Sequence, residues 1–512
     1  MRESHQSSNA RVAKNTIFLY FRTLLIIGIG LYISRAILQT LGVEDFGIYN
    51  VVGGIVLMFS FINSGMVAST QRFISYELGR NDATRLRQVF SMAVSVHLLL
   101  ALIILLLAET IGLWFLNTRM NIAPDRLHAA NWVYQCSILA FMLTVLSVPY
   151  NACIVAHEHM KAFAYVSILD YLLRLLAVIL LPFFPNDKLI VYAISILLTS
   201  LIIRLIYGIY CKRHFMECKY HFFRDRKLFG EMFSFAGWSF IGNLGFSVKD
   251  QGINILINLF FGAAVNAARG IAYQVSSVVS SFMGNFQMAI NPQITKRYAS
   301  GEIDSMLRLV FAGAKYSFFV LMIIAIPLWI RAPYVLELWL GNVPDYTVAF
   351  LRLVLIMLLV DSMANPLVVA MQATGKIRKF QLVIAIIMLS NLPFAYFFLK
   401  MGAYAYSVMY VAIATSFVGL IARLLLLREL IHFDIWSFLK DILLRNCVVC
   451  LLGIPVPLLV SFYLCDNFIG LISIVLISII SSLIVIYFIG LQSSERSFLV
   501  DKIVDCKKFL IH

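Results

Sequence analysis

Leu86-Arg87-Gln88-Val89-Phe90 returns about 221 residues later as Leu307-Arg308-Leu309-Val310-Phe311, and recurrence at a fixed offset marks an internal repeat. In that register the hairpin from Lys14 to Arg87 has a second copy. Each copy reads as an apolar helix, a short loop holding a glycine (Leu41-Gly42 and Phe261-Gly262), a helix rich in Gly, Ser and Asn, a basic loop and a third apolar helix. The third helices end alike, in Leu113-Trp114-Phe115-Leu116-Asn117 and Leu338-Trp339-Leu340-Gly341-Asn342. Two copies of a membrane unit in parallel order imply two lobes that face each other, with a site where they meet.

That the unit is a membrane unit follows from composition. Of 512 residues 61% are hydrophobic and 13% charged, and the mean hydropathy is +0.89, values that exclude a soluble domain of this length. The apolar stretches run about 20 residues, the length of a bilayer-crossing helix, whereas barrel strands would show short alternating segments. The chain is thus expected to be an all-α integral membrane protein of about 14 helices. Their ranges are 14–38, 46–70, 88–110, 129–152, 163–184, 189–210, 231–258, 266–292, 309–330, 346–371, 380–400, 403–427, 442–464 and 468–491. Six spans make an N-terminal lobe (1–210) and six a C-terminal lobe (231–427), joined by a basic linker (211–230) and followed by two extra helices and a tail (428–512).

The formal charge of +15 would suggest nucleic acid in a soluble chain, but here its distribution gives another answer. With the N-terminus inside, one set of alternate segments holds about 27 Lys and Arg and the other only five, Arg119, Arg126, Lys188, Arg331 and Lys400. By the positive-inside rule both termini are expected in the cytoplasm, and no nucleic-acid partner is needed. Residues 1–13 are polar and lack a short apolar core with a cleavage site, so the first span is expected to remain uncleaved. The eight cysteines show no repeated metal spacing, and Cys447 and Cys450 sit among Val, Leu and Ile as small packing residues.

Span seven carries a polar stripe. Ser239, Asn243, Ser247, Asp250, Asn254 and Asn258 recur every three or four residues and share one helix face, flanked by Lys249 and Gln251. Span eight repeats the pattern with Arg269, Tyr273, Ser277, Ser280, Gly284, Gln287 and Asn291. Interhelical hydrogen bonding accounts for Ser276, Ser280 and Gly284. It does not account for Asn243, Lys249, Asp250 and Arg269 together, which points to a lined cavity. The first copy agrees: Asn15, Arg22, Ser34 and Arg35 on span one, then Asn50, Gly54, Asn63, Ser64 and Gln71 on span two. Four cations, Arg22, Arg35, Lys249 and Arg269, against the single acid Asp250 make that cavity basic. Such a cavity attracts an anion, and arginine suits phosphate oxygens.

Other charges read more plainly. Asp170 and Arg174, i and i+4 on span five, form an ion pair. Asp361, Arg352 and Lys315 are positioned to pair in the second lobe, where a coupling ion could sit. Arg204 and Arg423 near span ends are expected to snorkel. His157-Glu158-His159 is expected to be a solvated turn, because i and i+2 on a helix end do not face one another. No metal site, P-loop, nucleotide-binding domain or catalytic arrangement appears, so the chain is not expected to be an enzyme.

The run Leu41-Gly42-Val43-Glu44-Asp45-Phe46-Gly47-Ile48-Tyr49-Asn50, followed by Gly53-Gly54, Gly65 and Arg72, resembles the opening of the polysaccharide-export branch of the multidrug/oligosaccharidyl-lipid/polysaccharide (MOP) transporter superfamily. Within that branch it is most similar to O-antigen flippases of the Wzx type. The resemblance implies a V-shaped, two-lobed bundle in a bacterial inner membrane. It would move a polyprenyl-diphosphate-linked oligosaccharide to the periplasmic leaflet by alternating access, beside a polysaccharide polymerase and other glycan-assembly proteins. Arg22, Arg35, Arg269 and Lys249 would then hold the diphosphate. Asn243, Ser247, Asp250, Asn254, Tyr273, Gln287 and Asn291 would meet the sugar, and a coupling H+ or Na+ would be taken at Asp361 or Asp170. No other cofactor is implied. An ion-coupled drug or metabolite exporter of the same fold is the rival, disfavoured because cationic drugs want acids in the cavity.

Overall fold

The computed structural model describes residues 2–58, 60–120, 122–185, 187–222, 225–493 and 495–497. The side chains of Asn15, Ser34, Asn50, Asn63 and Ser64, together with Gly54, lie outside the described set, as do Arg224 and the last 15 residues. Among the described residues every regular element is helical. In chain order we number them α1 (Phe18–Gly42), α2 (Ser60–Arg80), α3 (Ala83–Thr118), α4 (Leu127–Ala156), α5 (Met160–Phe183), α6 (Lys188–His214) and α7 (Arg226–Phe261). They continue as α8 (Ala263–Ala299), α9 (Ile303–Ile330), α10 (Thr347–Thr374), α11 (Arg378–Lys400), α12 (Ser407–Ile431), α13 (Ile435–Ser461) and α14 (Phe468–Gly490).

The protein is an all-helical membrane protein: 11 helices among the described residues are long and apolar enough to cross a bilayer. The three expected spans outside that set, 46–70, 231–258 and 266–292, fall on the helix after Gly42 with α2, on α7 and on α8. All are helical over their described residues, and their Asn, Gln, Ser and charged residues keep them below the apolar level of the rest.

Backbone turns recur with the repeat. Gly42 and Gly262 break the helix path at φ 81° and 83°. At Gly42 ψ is 174°, a region open in practice only to glycine. Asn81 and Gly301, at φ 56° and 80°, end α2 and α8 with the same pair of bonds. Asn81 N donates to Leu78 O and Asp82 N to Glu77 O; Gly301 N donates to Tyr298 O and Glu302 N to Arg297 O, each a Schellman ending. Side-chain caps start the helices: Asp82 accepts from Arg85 N before α3, Asp187 from Leu189 N before α6 and Asn467 from Gly470 N before α14. Pro149, Pro292, Pro327, Pro366 and Pro393 lie inside helices, as bilayer helices tolerate.

The chain divides into two compact units by packing. The first comprises Met1–Leu244, Met288–Met306 and Gln372–Ala385. Its core gathers Val52, Ala130, Val133, Tyr134 and Ile138, all buried. Within this unit Arg72 on α2 donates to the carbonyls of Gln372 and Ala373 at the end of α10, from Nε at 3.2 Å and Nη2 at 3.0 Å. The guanidinium so occupies the favourable C-terminal end of that helix. Its face also lies over the Phe73 and Tyr76 rings. The corresponding end of α8 reaches the turn after α4: Lys296 Nζ and Gln293 Nε2 each donate to Glu158 at 2.6 Å.

Glu158 is 6% exposed, so the expected solvated turn is corrected. A buried carboxylate needs partners, and this one has them. His157 Nε2 pairs with Glu217 at 2.5 Å rather than facing water.

The second unit comprises Gly245–Gln287, Leu307–Met371 and Ile386–His512. Ile257, Leu321, Phe350, Leu351 and Val354 centre its core. The last helix pair is fastened to the middle of α9 and to its C-terminal end. Lys315, 4% exposed, donates to both oxygens of Glu495 beyond α14, at 2.5 and 2.6 Å. Arg331, just past α9, pairs with Asp466 and donates to Ser461 O and Leu464 O in the α13–α14 turn.

Candidate functional site

The polar stripe of α7 turns one charge group inward within the second unit. Lys249 and Arg269, both cationic side chains, are only 6% and 4% exposed. Their nearest anion is Asp250, with Oδ1 at 3.6 Å from Lys249 Nζ and at 3.6 Å from Arg269 Nη2. Both distances exceed hydrogen-bond length, and that oxygen has no hydrogen-bond partner. Arg269 Nη1 instead donates to Asn254 Oδ1, one turn along α7 from Asp250, and the guanidinium lies 4.2 Å from the centroid of the Tyr273 ring. Lys249, Asp250, Asn254, Arg269 and Tyr273 are therefore one cluster, assembled because the α7 stripe meets the first turns of α8.

Asp361 on α10 extends the cluster: it feels the charges of Lys249 and Arg423 and accepts a hydrogen bond from Ser416 on α12. Arg423 is 5% exposed, with Nε and Nη1 unpaired, so the expected snorkelling is corrected. Three cations and two acids share this region, leaving it basic by one charge. The spacing that could have revealed the wider group is Ser416 to Arg423, two turns apart on one face of α12. The expected pairing of Asp361 with Arg352 and Lys315 does not form. Arg352 Nε donates to Trp329 O at 3.1 Å, and Lys315 is taken by Glu495.

Farther along α8, Gln287 is 3% exposed; its Nε2 lies 3.2 Å from Ser317 Oγ, and its Oε1 accepts from Asn365 on α10. Asn365 is i+4 from Asp361, so one face of α10 serves both groups. Ser247 is half-buried on α7.

The remaining expected residues lie in the first unit. Arg22 on α1 is half-buried and stacks 4.8 Å from the Phe163 ring centroid on α5, with Nε and Nη1 unpaired. Tyr207 and Tyr171 are close enough to interact with it electrostatically. Arg35 is exposed on α1. Asp170 accepts from Arg174 Nε at 3.1 Å, the intrahelical pair its spacing predicts. Asn243 is exposed and Asn291 half-buried.

A buried cation whose anion stands beyond hydrogen-bond reach can accept a further anion. Arginine on an aromatic face with free N–H groups suits phosphate oxygens, and the neighbouring amide and phenol suit hydroxyl-rich ligands. Asn, Gln, Ser and Arg with two carboxylates are oxygen and N–H donors, without the thiolate or imidazole sets that hold zinc.

Comparison with known proteins identifies the family and the fold. The polysaccharide biosynthesis protein family matches residues 12–297. Protein EpsK of Bacillus subtilis, described as an uncharacterized membrane protein, is 22% identical over 322 residues, covering 62% of this chain. The chain spans 63% of the length of that relative. Among solved structures, a MATE protein in the bent conformation superposes with a TM-score of 0.72 at 15% identity, over 83% of this chain and 96% of the other. An outward-facing multidrug resistance MATE family transporter of the MOP superfamily gives 0.72 at 14% identity, over 82% and 96%. A MOP superfamily transporter from Pyrococcus furiosus gives 0.68 at 14% identity, over 84% and 97%. At such identities the likeness fixes the fold, that of MATE and other MOP superfamily transporters. The family match covers more than half of the sequence, and the chain belongs to the polysaccharide biosynthesis protein family.

Proposed function

We propose that this membrane transporter is a flippase for a polyprenyl-diphosphate-linked oligosaccharide, an O-antigen, capsule or exopolysaccharide repeat unit, working by alternating access in a bacterial inner membrane. The observation that carries the reading is the pair Lys249 and Arg269: buried, cationic, and held 3.6 Å from one acid that satisfies neither. In a chain of a polysaccharide biosynthesis family, the anion that chemistry asks for is the diphosphate that joins glycan to lipid. Lys249 and Arg269, with Arg22 and Arg35 of the first copy, bind it. Asn243, Ser247, Asp250, Asn254, Tyr273, Gln287 and Asn291 take the sugar hydroxyls. Asp361 is the place for a coupling H+ or Na+ because it is the acid set behind the cations, and Asp170 is already engaged by Arg174. Lys and Arg asymmetry puts both termini in the cytoplasm. The protein performs no covalent chemistry; glycan-assembly proteins and a polymerase supply and consume its cargo.

A deletion strain tests this. Lipid-linked oligosaccharide accumulating on the cytoplasmic leaflet, restored by the wild-type gene and not by Arg269→Ala, is the expected result. Drug hypersensitivity with normal surface glycan would instead make the protein the exporter that its MATE fold also allows.

A further inference from the structure

The linker between α6 and α7 is folded onto the first unit rather than hanging free. Its Phe215, Glu217 and Cys218 are buried, as is Cys211 at the end of α6. Tyr220 Oη lies 3.2 Å from Ser95 Oγ, and His221 N donates to Ser91 Oγ at 3.2 Å. Both acids of the segment are consumed internally, Glu217 by His157 and Asp225 by Arg85 at 3.1 Å.

What the linker and the helix ends flanking it turn outward is of one sign. Lys212, Arg213, Lys219, Arg226 and Lys227 are exposed and have no carboxylate partner among the described residues. Interleaved with them are Met216, Tyr220 and Phe222, at 75%, 45% and 80% exposure. Exposed large apolar side chains alternating with unpaired cations, at the point where two bilayer helices end, form a surface for the headgroup boundary. The apolar side chains enter the upper acyl region and the cations meet phosphates. A soluble acidic protein would satisfy the cations but would leave the exposed Met216 and Phe222 unexplained beside the end of α6, a helix of bilayer-crossing length.

We propose that this linker is a binding surface for anionic phospholipid headgroups on the basic side of the membrane. The site stands apart from the α7–α8 cluster and does not depend on the flippase reading.

The test uses the purified full-length protein with phosphatidylglycerol or phosphatidylcholine, reading lipid retention by native mass spectrometry and the thermal midpoint with each lipid. Wild type should retain phosphatidylglycerol preferentially. Neutralising Lys212, Arg213 and Lys219 to Gln should cut that preference about a hundredfold, since each of the three cations near an anionic surface contributes roughly a factor of five. Matched neutralisation elsewhere (Arg80→Gln, Lys376→Gln, Arg308→Gln) should cut it by less than about threefold. An undiminished preference in the linker variant, or an equal loss in the control, overturns the proposal. If the linker variant does not purify folded, the wild type decides: its preference must fall as salt rises from about 0.05 to 0.5 M, and a salt-independent preference also overturns it.

Discussion

Glu158 and Gly375 stand at the same place in the two copies of the repeat, in the turn after α4 and the turn after α10, and both hold a positive φ, 62° and 76°. Around them the chemistry is reversed. At Gly375 the cation arrives from α2: Arg72 lies against the glycine and is bonded to backbone carbonyls, and a Cβ there would stand 2.9 Å from its Nη2. At Glu158 the turn itself supplies the charge, and Gln293 and Lys296 of α8 come to meet it. The same contrast runs through the polar helices. The second copy concentrates Lys249, Asp250, Asn254, Arg269 and Tyr273 into one cluster, whereas the first leaves Arg22 stacked on Phe163, with no ion pair among the described residues. The repeat thus preserves backbone events and positions of contact, and leaves each copy free to choose its side chains.

If function rests on the richer copy, Arg269→Ala should have the largest effect. Removing one partner of a buried, hydrogen-bonded charge group costs about 2–5 kcal/mol in binding, so glycan export should fall about 30-fold or more with the protein still in the membrane. Arg22→Ala should also impair export, but less, since that guanidinium gives up a stacking contact and no ion pair. Surface-glycan display measured for both variants at matched membrane levels decides. Equal losses would erase the asymmetry, and normal display from both would remove the diphosphate role.

Much of this was legible in the sequence because bilayer burial allows so few solutions. Helix length and the repeat register gave the helices, and the stripe Ser239 to Asn258 located the cluster in α7. The spacing of Asp170 and Arg174 gave their pair. What could not be read is which distant helix supplies a partner. Glu158 looks like a loop residue until α8 is folded against it, and Arg423 looks like a snorkelling end until it is found buried within reach of the charge of Asp361. Lys315 was claimed by Glu495 from beyond the last helix, some 180 residues away, a contact no local periodicity encodes.

The two turns offer a sharper test at smaller magnitude. Glu158→Ala loses the buried acceptor and keeps a Cβ in the left-handed region, so it should cost about 2–4 kcal/mol. Glu158→Gly loses the same acceptor but relieves the backbone, and should be less harmful by about 1 kcal/mol. Thermal unfolding in detergent measures both; a glycine variant no better than alanine would mean that the φ of 62° carries no strain. At the other pair of matched positions, Gly42→Ala and Gly262→Ala should each cost about 1–3 kcal/mol, because each needs a positive φ and neither Cβ would touch a neighbour within 4 Å. Unequal costs would break the equivalence of the two loops.

The smallest effect belongs to the first copy alone, where the turn after α4 carries two histidines and the turn after α10 none. Burial pushes the Glu217 carboxyl up, but the hydrogen bond from His157, a backbone hydrogen bond and the charges of His157 and Arg87 together outweigh it and hold that group below the ordinary 4.5. Partial burial, with His157 and His214 close by, holds His159 below the ordinary 6.5. A carboxylate with a depressed pKa stabilises the fold above about pH 4.5 and loses that contribution as pH falls through its folded value. An imidazole with a depressed pKa is protonated more readily in the unfolded chain, so stability declines as pH drops below about 6.5. Both act in the same direction. Acidification should loosen the linker in two steps, the first worth less than about 0.5 kcal/mol because His159 is solvent-screened. Hydrogen exchange of residues 215–222 between pH 7.5 and 4 reads the steps separately. His159→Gln should remove the upper one and Glu217→Gln the lower, while protection of the turn after α10 should stay flat across the same range, since no histidine lies in it.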